Sequence, residues 1–182
     1  MKKEKRLDTP LTEKVRRNLR AGDRVLINGT IYTARDMAHK RLVEVIKKEG
    51  KLPFDLRNQI IYYTGPTPAK EGEIIGSCGP TTSSRMDKYT PTLLESGLGG
   101  VVGKGQRSVG VISALRKYRS VYFAAIGGAG ALLSIKVKSA KLVTYEDLGC
   151  EAIYKLEVKD FPVVVAIDIY GRSVYGRNSK HR

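Results

Sequence analysis

Four consecutive apolar residues, Ile60-Ile61-Tyr62-Tyr63, stop abruptly at Thr64-Gly65-Pro66. No polar residue alternates through the run, so such a strand belongs in the middle of a sheet with both faces covered. Gly99-Gly100-Val101-Val102 reads as a second short buried strand that delivers Gly103-Lys104-Gly105 at its end. Further strands are expected over residues 24–28 (continuing at 31–33 past Gly29), 121–126, 141–145, 152–158 and 163–169. Helical spacing fills the gaps. Residues 34–48 carry Met37, Leu42, Val45 and Ile46 on one side, residues 12–19 pair Val15 with Leu19, and short helices are expected over 90–96, 108–118 and 131–135. With 182 residues and 41% hydrophobic side chains, the chain can bury a real core. The expectation is one mixed α/β domain over residues 1–182, with residues 1–6 as a frayed basic tail.

The chemistry concentrates in residues 76–87, Gly-Ser-Cys-Gly-Pro-Thr-Thr-Ser-Ser-Arg-Met-Asp. Glycine and proline break regular structure there, four hydroxyl side chains follow, and Arg85 can offer a planar fork to a carboxylate or phosphate. Turns of this composition can also line up backbone N–H groups for an anion. An ordinary loop before a capped helix would have the same composition. Arg35 and His39 share a helical face four residues apart, with Arg35 near the positive end of the helix dipole. His39 is expected to hydrogen-bond locally, and Cys78 to pack as a small buried thiol behind the loop. Two glycine-rich runs fail the nucleotide patterns they suggest. Leu98 stands where a P-loop needs its first glycine and Gly105 where it needs Ser or Thr, while Gly127-Gly128-Ala129-Gly130 lacks a third spaced glycine.

Thirty-three Lys and Arg against 18 Asp and Glu give a formal charge of +15. Residues 1–51 hold 15 basic and 7 acidic side chains, a net of +8, and residues 171–182 add four basic side chains and no acid. A nucleic-acid partner is the first idea, yet the aromatic fraction is 7% with no Trp and no RNA- or DNA-binding motif. A basic surface also steers anionic substrates or docks acidic subunits. The two cysteines, Cys78 and Cys150, and the two histidines, His39 and His181, are too scattered for a structural zinc site, so no metal site is expected on this chain. The charged N-terminus and the lack of a long apolar stretch predict a cytoplasmic protein.

GPTTSSRMD (79–87) followed by Gly103-Lys104-Gly105 resembles the β half of the class I, iron–sulfur-dependent fumarases and tartrate dehydratases. GTIYTARDMAHKR (29–41) fits upstream, and Tyr145 to Gly149 with Asp160-Phe161-Pro162 downstream, so the likeness runs from about Leu11 to Tyr175. It implies a swivelling β/β/α-type domain and a hydro-lyase that reversibly hydrates fumarate to (S)-malate, with L-tartrate dehydratase as the alternative. Position by position, it puts Arg35, Arg85 and Lys104 around the substrate carboxylates and makes Thr81 the proton-transfer residue. It also implies a four-iron cluster. Such a cluster takes three or four thiolates, more than this chain has, so the cluster is expected on a cysteine-bearing α subunit within a heterotetramer or larger assembly. The carboxylate that would support Thr81 is expected from that partner or from Asp87. From a different class, a non-catalytic basic nucleic-acid-binding domain remains the competing reading.

Overall fold

A computed structural model describes residues 4–176. Three parallel strands, β2 (Arg24–Thr33), β3 (Ile60–Tyr62) and β4 (Gly100–Gly103), run beside β5 (Val121–Ala124), also parallel. Helices α2 (Asp36–Lys47), α3 (Thr90–Glu95) and α4 (Val109–Lys117) make the crossovers between them. The last strand, β7 (Ile153–Ile167), runs antiparallel and pairs with both β5 and β2, so the order β2-β3-β4-β5-β7 closes on itself. β1 (Lys5–Asp8) shares the outer edge of β2, and β6 (Val137–Thr144) that of β7. The fold is a mixed α/β domain, as expected.

Successive residues of β3 feed two separate cores. Ile60 and Tyr62 join Ile27, Val102, Phe123, Phe161 and Val165 inside the ring of strands. Ile61 and Tyr63 face outward with Val101 and Tyr122 onto Leu42 of α2, Leu93 of α3 and Leu115 of α4. Both faces of the run are therefore covered, which is the physical reason no polar residue interrupts it.

Some boundaries differ from expectation. β1 takes in Lys5 and Arg6, which had been assigned to a frayed tail, because they pair with Val25 and Leu26 of β2. Residues 1–3 of that tail, and 177–182 with His181, lie outside the described residues. Helix α1 (Glu13–Arg16) is a single turn rather than residues 12–19, since Arg16 folds inward to the Leu11 carbonyl at 2.6 Å and Asn58 Oδ1 at 2.9 Å. The two strands expected over 152–158 and 163–169 are one. Asp160 takes a positive φ of 51° at a bulge, and its N–H is recovered by Asn28 Oδ1 at 2.9 Å, so the ladder with β2 resumes at Phe161. Among the described residues no helix is long and apolar enough to cross a membrane.

Candidate active site

In folds whose parallel strands are joined by helical crossovers, ligands bind outside the carboxyl ends of those strands, where the crossover loops begin. Arg35 follows β2, the long connection holding residues 76–87 follows β3, Lys104 follows β4, and Gly127-Gly128 follows β5. Hydrogen bonds to backbone carbonyls draw these loops together. Thr64 Oγ1 donates to the Gly79 carbonyl at 2.8 Å, Thr81 N to the Tyr63 carbonyl at 2.7 Å, Lys104 N to the Thr81 carbonyl at 3.3 Å, and Ser83 N to the Lys104 carbonyl at 2.9 Å. Residues 81–83 thus lie along Lys104 as an added piece of parallel strand.

The N–H groups of Cys78, Thr81 and Ser83 are spent on backbone carbonyls, so the loop is not the free cradle of donors that its composition suggests. No side-chain cap forms on the short 3-10 helix Ser83–Met86 either. What faces solvent is side chains. Thr81 is half-buried, and Lys104 and Arg85 are exposed.

Two glycines set the packing here. A Cβ on Gly103 would stand 2.0 Å from Ser83 Oγ, which itself shares a 3.0 Å hydrogen bond with the Tyr122 hydroxyl. A Cβ on Gly65 would stand 2.8 Å from Arg35 Cδ, so the Arg35 side chain lies directly on that glycine.

Arg35, Thr81 and Lys104 are brought to one edge of the fold. Arg35 keeps a buried Nε with no hydrogen-bond partner, and its nearest carboxylates stand off, Glu151 Oε1 at 3.7 Å and Asp36 Oδ2 at 3.9 Å. The guanidinium is thus only loosely paired, which leaves its partly exposed end able to take a carboxylate. Arg85 differs. Its fork already grips Asp36, Nε to Oδ1 at 3.0 Å and Nη2 to Oδ2 at 2.9 Å. That pair is partly exposed and therefore worth at most about 1 kcal/mol, so a substrate carboxylate can compete for it.

Arg107 is the supporting residue that sequence reasoning missed. Its side chain is fully buried, donating from Nε to Asp87 Oδ1 at 2.8 Å and from Nη2 to Thr90 Oγ1 at 2.7 Å, with the rings of Tyr63 and Tyr122 over its guanidinium. Burial opposes its charge, but Tyr63 and Asp87 outweigh that and hold its pKa above the ordinary arginine value. Asp87 also accepts from Ser108 N at 2.7 Å, so it anchors the loop after β4 to the loop after β3. Both oxygens of Asp87 are thus engaged in holding these loops together.

His39 is buried with Nδ1 2.8 Å from the Arg35 carbonyl, the local role expected of it. Burial lowers its pKa to about 4, so it is neutral, with Nδ1 carrying the proton. Cys78 is buried behind the loop, and burial pushes its thiol up to about 11. Cys150 is free and exposed. One buried neutral thiol and one exposed thiol are too few for an iron–sulfur cluster, and among the described residues no group of three His, Cys, Asp or Glu gathers for a metal.

A sequence model described as Fumarase C-terminus matches residues 1–178. The chain belongs to the fumarase C-terminus family. Within that family it is 41% identical over 176 residues to a candidate L(+)-tartrate dehydratase subunit beta of Methanocaldococcus jannaschii, covering 93% of this chain and 90% of that one. It is 38% identical to fumarate hydratase 2 of Leishmania major, covering 91% of this chain and 30% of the relative. It is 40% identical to the aerobic class I fumarate hydratase of Escherichia coli K12, covering 84% of this chain and 28% of that enzyme. The chain therefore spans nearly the whole of the subunit beta relative but under a third of these fumarate hydratases.

Proposed function

We propose that this chain is the β subunit of an iron–sulfur hydro-lyase that hydrates fumarate reversibly to (S)-malate, with an active site completed by a cysteine-bearing α subunit. The observation that carries the reading is the gathering of Arg35, Thr81 and Lys104 at the carboxyl ends of β2, β3 and β4 in a chain of the fumarase C-terminus family. A second substrate, L-tartrate, is favoured by one finding: the relative matched over 90% of its own length carries the tartrate dehydratase name. The closed strand circuit with helices outside it supports the swivelling β/β/α assignment and the whole chain as one domain. The free thiols Cys78 and Cys150 agree with a cytoplasmic setting.

In this reading the Arg35 guanidinium takes one substrate carboxylate, and the exposed Lys104 supplies a second positive charge. Arg85 completes the dicarboxylate clamp by exchanging Asp36 for the substrate. Thr81 Oγ receives the proton from the carbon next to the departing hydroxyl and returns it in hydration. A threonine hydroxyl is far too weak a base unaided, so the charges of Lys104 and Arg85 must lower its pKa and a carboxylate from the partner must share the proton. The four-iron cluster of the α subunit would provide the Lewis acid for the hydroxyl. The assembly is then a heterotetramer or larger.

Paired variants in the assembled enzyme test these roles. Thr81→Val keeps shape and removes the hydroxyl, so turnover should fall roughly 10²-fold or more while a dicarboxylate inhibitor binds nearly as before. Arg85→Ala should weaken both. Intact turnover with weakened inhibitor binding in Thr81→Val would make Thr81 a binding hydroxyl and return the base to the partner.

A further inference from the structure

The proposed reaction leaves the arginines at the other end of the fold without a task. Arg17 and Arg20 precede β2, Arg116 and Arg119 precede β5, and Ile169 and Tyr170 follow β7, which runs antiparallel to both. These residues therefore gather where β2 and β5 begin, opposite the loops carrying Thr81 and Lys104. There Arg17, Arg116, Arg119, Ile169 and Tyr170 line a cleft of about 410 Å³. Arg20 and Arg172 hold their guanidinium carbons 4.8 and 5.5 Å from the centroid of the half-exposed Tyr170 ring.

Counter-charge is scarce. Glu13 Oε1 is shared by Arg17 Nη2 at 2.7 Å and Arg119 Nη1 at 2.6 Å, and among the described residues Arg116 makes no ion pair. The nearby acids are committed elsewhere, Asp23 to Lys5 and the Arg20 N–H, and Asp168 to the N–H groups of Ala21, Tyr170 and Arg172. Five guanidinium groups stand here against the three carboxylates of Glu13, Asp23 and Asp168, so the cleft keeps a positive excess that attracts an anion.

Arg119 holds φ at 52° just past the end of α4, where Ser120 N returns to the Leu115 carbonyl at 2.9 Å and glycine is the favoured residue. From this position Arg119 lines the cleft, with Nη1 held by Glu13 Oε1 at 2.6 Å.

We propose that this cleft binds a small phosphoryl polyanion, either free diphosphate or the polyphosphate of a nucleotide. Guanidinium forks match phosphate oxygens two at a time, and the cleft is within the size range of small-ligand sites. Arg17, Arg116 and Arg119 hold the phosphates, and a base, where one is attached, stacks on the exposed Tyr170 by displacing one of the two guanidiniums over its ring. This site takes up part of the +15 charge that the proposed dicarboxylate site does not use. It stands whether or not the hydro-lyase reading does.

Calorimetric titration of the full chain with inorganic pyrophosphate and with ATP tests the proposal. Saturable one-site binding of pyrophosphate is expected, weakened about tenfold by Arg116→Ala and again by Arg119→Gly. Arg119→Gly should not lower the melting temperature, because it relieves the positive φ, so its effect is not unfolding. Lys104→Met, at the far end, should leave the pyrophosphate affinity as it was. Weakening of ATP alone by Tyr170→Ala identifies a nucleotide as the ligand, and equal affinities indifferent to Tyr170 identify free polyphosphate. Absence of saturable pyrophosphate binding, or binding indifferent to both arginine variants, overturns the proposal. So does a single-stranded oligonucleotide that displaces pyrophosphate with a steep salt slope, since that would make the surface a nucleic-acid interface.

Discussion

Arg107 and His39 are both buried beside Tyr63, and each is kept in one charge state by what surrounds it. Arg107→Met would strand the Asp87 carboxylate and empty the space between two tyrosine rings. We expect a loss of about 3 kcal/mol in urea unfolding, more than the Arg85–Asp36 pair could account for. His39 is a pH lever. Its folded pKa of about 4 lies below the ordinary histidine value of 6.5, so between those values the unfolded chain binds the extra proton. Stability should therefore fall as pH drops from 6.5 to 4, by up to about 3 kcal/mol, and that slope should vanish in His39→Gln. Melting temperatures of the two proteins across that range check it. His39 and Cys78 were legible because a lone histidine or thiol next to an apolar pattern is usually core. Arg107 was not, since an arginine after Gly105-Gln106 reads as solvated until Tyr63, 44 residues away, is placed against it.

Short apolar strands that change direction at glycine carry the site. The run at residues 60–63 and the Gly99-Gly100-Val101-Val102 strand were readable because burial on two faces leaves a sequence mark. The ring closure was not, because pairing of β7 with both β2 and β5 depends on a bulge that keeps one strand continuous past Pro162. The Asp36 partner of Arg85 was equally hidden, being 49 residues distant in the chain. Gly103 offers a test at this scale. Gly103→Ala would drive Cβ into Ser83 Oγ and Tyr63 Cδ2, so residues 81–86 must shift. Overpacking of this kind should cost about 1–3 kcal/mol and reduce dicarboxylate binding by the assembled enzyme. Unchanged stability and binding would show that the loop does not depend on this contact.

Across the whole molecule, charge and chemistry are placed at opposite ends. The carboxyl edge of the parallel strands holds Arg35, Thr81 and Lys104, and the other end holds the arginine cleft. In the proposed function the chain's two cysteines are too few to anchor a four-iron cluster, so the reading requires a second, cysteine-bearing subunit. The most direct measurement is turnover of fumarate and of L-tartrate by the purified chain, by the cysteine-bearing partner, and by the two mixed under anaerobic conditions. The expected result is no turnover by either protein alone and turnover of one of the two substrates on mixing. Turnover by this chain alone, or none in a mixture whose partner holds an intact cluster, would contradict the account.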